Sequence, residues 1–146
     1  MTTRVFLLLT LLFAAAGAPA GQFLSIAENA TLMYDAPSQK ANKLFVATKF
    51  YPLEVIVQVD AWIKVRDAAG DLAWVEKKFL SDTRMVVVTA ESADVRQKAE
   101  DGAPLVFQAR QGVALEIAEL GALPWVKVRH RDGQTGFVRA NQVWGL

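Results

Sequence analysis

The sequence predicts an all-β chain: two small five-stranded barrels in tandem, each with a short 3₁₀ turn, set behind an export signal. Three observations carry this. The stretch Trp62 to Val75, W-I-K-V-R-D-A-A-G-D-L-A-W-V, returns at Trp125 to Val138 as W-V-K-V-R-H-R-D-G-Q-T-G-F-V, in register at an offset of 63 residues. A fixed period that keeps an aromatic residue, two cations and a turn glycine in place marks a repeat architecture. In Leu53, Val55, Val57 and Val59 the apolar residues alternate with Glu54 and Gln58, the period of two of a half-buried strand, although Ile56 interrupts it. The remaining apolar runs are short and bounded by turn formers such as Asp35-Ala36-Pro37-Ser38.

The first 20 residues read as a signal peptide. Arg4 and the amino terminus supply charge, Val5 to Ala16 is an apolar run, and Ala18-Pro19-Ala20 fits a small-x-small cleavage site. A retained anchor is the alternative, but the run is shorter than the roughly 20 apolar residues of a membrane span. Cleavage after Ala20 starts the chain at Gly21, with no further span, and points to the periplasm, with secretion as the other destination. It removes one cation, Arg4, so that 15 Lys and Arg face 15 Asp and Glu. A neutral, exported chain lacks the basic footprint on which nucleic-acid binding rests. The absence of cysteine excludes disulfides, thiolate metal sites and a thiol nucleophile.

The repeat divides the mature chain into residues 21–82 and 83–146. Units of about 60 residues bury only about 60% of their unfolded surface, so packing between the copies is expected to add stability. In the first copy Ala30 to Tyr34, Leu44 to Ala47, Leu53 to Val59, Trp62 to Arg66 and Leu72 to Val75 read as strands. Glu76 to Leu80 reads as a single 3₁₀ turn pinned by its apolar end, and Arg139 to Val143 repeats it. Met85 to Thr89 reads as a buried strand. The second copy follows the same plan at an offset of 62 up to Ile117, with one residue inserted before Trp125, which is expected to leave both flanking strands in register. No Gly/Ser- or Pro-rich linker separates the copies, which predicts direct packing.

With these residues in place, the chain resembles the bacterial SH3-like (SH3b) family over residues 28 to 146. The matching positions are Trp62, Lys64, Val65, Gly70, Trp74, Val75 and Leu80, then Trp125, Lys127, Val128, Gly133, Phe137, Val138 and Val143. The resemblance implies small β-barrels that act as binding modules for peptides, partner proteins or peptidoglycan, often attached to a hydrolase. Ala61 and Ala73 stand where that pattern has glycine, and no attached catalytic domain is evident.

Strand alternation puts Ile63 and Val65 inward and Trp62, Lys64 and Arg66 on the opposite face, with Trp125, Lys127 and Arg129 repeating this one module later. An indole beside cations can stack a peptide or sugar while the cations hold a carboxylate. The same pattern also suits indoles folded over the barrel edge with Lys and Arg stems packed on them. Tyr34 and Tyr51 sit at strand-to-loop junctions, where the second copy has Arg96 and Val113, so either a ligand groove lies on the first module or both tyrosines finish the core with the hydroxyl in water. Trp74 and Phe137 are expected in the core or at the barrel mouth, and Trp144 over the second barrel or in the seam. His130, the single histidine, lies in a turn between Arg129 and Arg131 and has no evident catalytic or metal-binding partners.

These features together predict a non-catalytic binding or adaptor protein of the bacterial envelope, without cofactor or metal, recognising a protein or peptide partner or peptidoglycan stem peptides. The rivals are a small cell-wall hydrolase, or an accessory domain of one, and a structural homo-oligomer. The sequence leaves the oligomeric state open.

Overall fold

The computed structural model describes residues 21–146, and the signal peptide expected over residues 1–20 lies outside them. The first module contains β1 (Phe23–Ile26), β2 (Thr31–Tyr34), β3 (Lys43–Ala47), β4 (Pro52–Val59), β5 (Trp62–Arg66), β6 (Leu72–Glu76), a 3₁₀ turn at Lys77–Phe79, and β7 (Leu80–Ser81). The second contains β8 (Met85–Val88), β9 (Ser92–Arg96), β10 (Leu105–Arg110), β11 (Ala114–Glu119), β12 (Trp125–Arg129), β13 (Thr135–Arg139), a 3₁₀ turn at Ala140–Gln142, and β14 (Val143–Trp144). The strand orders, β3-β2-β6-β5-β4-β1-β7 and β10-β9-β13-β12-β11-β8-β14, are the same order written twice.

The five strands expected of the first copy are β2 to β6. Two short strands extend its sheet: β1, which pairs with both β4 and β7, and β7, which follows the 3₁₀ turn. In the second module β8 takes the place of β1 and is buried along its whole length. Among the described residues each sheet has one apolar face and no α-helix or second sheet of its own module to cover it. It therefore curls around its own core.

Ile26, Met33, Leu53, Ile63, Val65, Ala73 and Val75 fill the first core. Val86, Val88, Val95, Leu115, Val126, Val128 and Val138 are prominent in the second. These positions alternate along the strands as a pleated sheet requires. Along β3, by contrast, Leu44, Phe45 and Val46 are exposed at the sheet edge.

The inserted residue of the second copy lies in its β11–β12 connection. In the first module the ladder runs to Val59 opposite Trp62 and closes through Asp60-Ala61, with Asp60 at φ 53°. In the second, the last pair is Glu119 with Lys127, and Leu120 to Pro124 form a wider loop. The insertion thus shortens the hairpin as well as lengthening its loop.

The modules meet directly. Phe23 stands edge-on to Trp144 at 5.2 Å, and the Arg84 guanidinium lies over the Phe23 ring at 5.4 Å while donating to the Gly145 carbonyl at 2.9 Å. The Ser25 hydroxyl donates to the Thr83 carbonyl at 2.8 Å. Gly145 has φ 123°, and a Cβ there would fall 2.6 Å from the Met85 carbonyl oxygen of its own module and 3.3 Å from Pro52 Cβ across the seam, so this close packing requires glycine. Trp144 therefore belongs to the seam.

Candidate functional site

On the first module β5 points Ile63 and Val65 into the core and Trp62, Lys64 and Arg66 outward. Residues opposite one another across the ladders assemble an outer face. Lys64 faces Trp74 on β6, Trp74 faces Tyr34 on β2, and Trp62 faces Val59 on β4. Tyr34 and Trp62 meet edge-to-face at 5.5 Å and 83°, and Tyr34, 6% exposed, is covered there and supports the indole from behind. Trp74 is on this half-buried face, not in the core, because Ala73 and Val75 occupy the inward positions of β6. Val57 and Val59 continue the face as exposed apolar residues. Among the described residues Lys64 forms no ion pair, whereas Arg66 is bound to Glu54 at 3.0 Å.

Tyr51 is not part of this face. It packs against the core beside the Asp67–Gly70 turn, where its hydroxyl accepts a hydrogen bond from the Ala68 amide at 3.3 Å. Burial raises its pKa above the ordinary 10.0, and the nearby Asp67 charge adds to the rise, against the lowering effect of the Ala68 bond.

The second module disposes the same residues differently. Trp125 is 9% exposed, so of the two readings of the repeated indoles the covered one holds in this module. The Arg139 guanidinium lies 4.7 Å from its ring, and Asp101 holds that arginine through an Nε to Oδ1 bond of 3.0 Å. Lys127 sits 3.8 Å from Glu119 and 6.0 Å from the Phe137 ring, and Arg129 sits 3.6 Å from Glu116. Phe137, like Trp74, is outward and half-buried, opposite Lys127. The position of Tyr34 is taken by Arg96, which is bound to Asp94 and to the Ala103 carbonyl. Of the six residues of the repeated strands, Trp62 and Lys64 thus stand on an aromatic face of module one with Trp74, Trp125 is covered, and Arg66, Lys127 and Arg129 each lie within 4 Å of a carboxylate.

A cleft of about 670 Å³ lies between the modules, lined by the Thr48–Phe50 loop, the Gly112–Ala114 turn and the Arg129–Arg131 turn. His130 stacks obliquely on Phe107 at 5.6 Å, with Nδ1 3.1 Å from an Asp132 oxygen. Asp132 has a lowered pKa, first because the Gln134 amide donates to it and also because His130 bonds it. The sequence contains the signal for this cleft in the differences between its copies, which similarity alone passes over. Among the described residues no group of three or more His, Cys, Asp or Glu side chains is placed to hold a metal ion.

Solved structures similar to this chain include NlpC2 from Trichomonas vaginalis, at 8% identity, covering 86% of this chain and 48% of that one with a TM-score of 0.38. NlpC1 from Trichomonas vaginalis matches at 12% identity, covering 94% and 50% with a TM-score of 0.38. An NlpC/P60 family protein from Bacillus cereus ATCC 10987 matches at 14% identity, covering 84% and 55% with a TM-score of 0.36. The chain spans about half the length of these proteins, and likeness at this level adds nothing about its chemistry. A search of curated proteins finds no match. The family model of the bacterial SH3 domain matches twice, at residues 27–82 and 89–145, and this chain therefore belongs to the bacterial SH3 domain family.

Proposed function

We propose that this chain is an exported, non-catalytic binding protein of the bacterial envelope. Its first module takes a peptide, with the stem peptides of peptidoglycan as the leading ligand and a protein segment as the alternative. The observation that carries this is the face of Trp62 and Trp74, backed by the buried Tyr34, beside Lys64, the one cation of the repeated strands without an ion-pair partner among the described residues. Half-buried indoles offer large rigid area at low entropy cost, and a lysine beside them adds attraction for a carboxylate. Membership of a family of small barrels used as binding modules supports the same reading.

The test is co-sedimentation of residues 21–146 with purified cell-wall sacculi, alongside Trp62→Ala and Lys64→Glu. Circular dichroism checks that each variant folds. Retention of the wild type that both variants lose is the expected result. Absence of wild-type retention removes the wall as ligand and leaves a protein segment, to be sought by cross-linking in intact cells. Turnover of the wall by thoroughly purified protein would overturn the non-catalytic reading.

A further inference from the structure

The repeat supplies its own control for the cleft between the modules. Among the lining residues five differ in charge from the residue in the sister copy and one in backbone demand; one of the five, Thr48 where the second copy has Arg110, loses a cation, and Asn29 where it has Glu91 loses an acid, so these two offset each other. Lys49 stands where the second copy has Gln111, His130 where the first has Asp67, and Arg131 where the first has Ala68. Phe50 stands where the second copy has Gly112. The departures at Lys49, His130 and Arg131 leave this cleft more positive or less negative than its sister positions, in a chain whose described residues carry equal numbers of cations and acids. Arg129 and Glu116, 3.6 Å apart on the cleft wall, offset one another, which leaves Lys49 and Arg131 as cations with no ion pair among the described residues.

The remaining departure is conformational. The Phe50 amide donates to the Ile26 carbonyl and the Gly112 amide to the Val88 carbonyl, both at 2.8 Å, so the two loops are built alike. Both positions have positive φ, 75° at Phe50 and 88° at Gly112. This backbone suits glycine and strains a bulky L residue. The first copy nevertheless places a phenylalanine there, at the cleft, with the Lys49 ammonium 5.1 Å from its ring. A strained aromatic and a local excess of cations converge on one cavity whose volume lies in the range of small-ligand sites.

We infer that this cleft is a second binding site, separate from the Trp62 face, for a short acidic peptide with apolar side chains. Lys49 and Arg131 meet its carboxylates, and Phe50, Met85 and Val113 pack its apolar side chains. Guanidinium and ammonium groups at the cleft supply charge-assisted hydrogen bonds, and apolar walls beside them exclude water from those bonds. Because both modules contribute walls, the site exists only in the tandem.

The experiment is an amide-shift NMR titration of residues 21–146 with a blocked hexapeptide of alternating glutamate and leucine. The same peptide with lysine for glutamate, and inorganic phosphate, are run in parallel. Shifts should concentrate at residues 48–50, 112–114 and 129–131. Lys49→Gln and Arg131→Ala, each of which installs the sister module's residue, should each weaken binding about tenfold, the order of one charge-assisted contact. Trp62→Ala should bind the hexapeptide as the wild type does, which separates this site from the wall-binding reading. Equal binding of the lysine peptide, binding of phosphate at the same residues and affinity, shifts centred on Trp62 and Trp74, or unaltered binding by both cleft variants would each overturn the inference.

Discussion

In the first module Trp62 stands half-buried with Tyr34 at its edge; in the second the equivalent Trp125 lies beneath Arg139, which Asp101 anchors. The same two supporting positions in the first module hold Gln39 and Glu76, hydrogen-bonded to each other at 2.9 Å, with Lys78 beside the carboxylate. Strand order and register are shared, as are the inward residues Val65 and Val128, Val75 and Val138, and Leu53 and Leu115. The two faces of the sheet are thus constrained to different degrees. Inward positions must fill a small core, so they vary little in size, while outward positions need only a satisfied neighbour and have diverged in sign and in aromatic content. One barrel was left with an open aromatic face and the other with its tryptophan roofed.

Truncating the two tryptophans separately probes this contrast most strongly. Trp125→Ala should cost about 3 kcal/mol, the lower end for emptying a buried aromatic site. Trp62→Ala should cost about 1 kcal/mol, because only part of its area is removed from water. Urea unfolding of the two variants measures both, and equal losses would mean that the two faces are equivalent after all.

The next effect concerns the small residues beneath those faces. A Cβ on Gly136 would fall 2.6 Å from Val95 Cγ1 and 2.7 Å from the Arg96 carbonyl, whereas the first module accepts Ala73 at the matching position. Gly136→Ala should therefore destabilise by about 2 kcal/mol through overpacking. Ala73→Gly should lose about 1 kcal/mol, since glycine weakens a strand by its greater backbone freedom. A thermal melt in which Gly136→Ala matches the wild type would show that β9 and β13 are less closely packed than the geometry indicates.

A weaker response is expected from exchanging the roof. Asp101→Gln with Arg139→Glu installs the first module's pair and should cost about 0.5 kcal/mol, since the lost cation–π contact and ion pair are partly solvated. Fluorescence of Trp125 in the pair variant should become more accessible to acrylamide, and the difference in stability should shrink in 1 M salt, as screening predicts.

The last and least effect is at high pH. Burial raises the Tyr51 pKa in the folded state above 10.0, so the unfolded chain releases that proton first and the folded state holds it longer. The contribution is thus fully present below about pH 10 and is lost as pH rises through the folded value. Tyr51→Phe should flatten the alkaline decline of stability, and an alkaline absorbance titration should show a late component that this variant lacks. A decline unchanged in Tyr51→Phe would place the alkaline sensitivity elsewhere.

Much of the fold is legible in the chain. Alternation assigns the inward Ile63 and Val65 of β5, and the fixed offset implies that whatever the first copy folds into, the second repeats. β1 escapes such reading because Phe23–Ile26 is only four residues long and owes its place to pairing with β4 and β7, which are distant in sequence. The size of Trp74 suggests the core or the barrel mouth, yet the pleat puts its small neighbours inward and turns it outward beside Lys64. Of the eight candidate residues, folding keeps Trp62 and Lys64 on one face, buries Tyr34 behind Trp62, sends Tyr51 to the core margin, roofs Trp125 and sets Arg66, Lys127 and Arg129 within 4 Å of carboxylates.

The tandem plan, the strand alternation and the membership of a family of small barrels are properties of the sequence, because they rest on local periodicity and on a repeat that needs no third dimension to be seen. Which tryptophan is covered, and where the cations collect, is settled only by the folded chain. Arg139 reaches Trp125, and Lys49 shares a cleft with Arg131, only after strands far apart in the chain have been paired and the two barrels packed together, since side-chain neighbours across a sheet or a seam are set by register and contact and not by spacing along the chain.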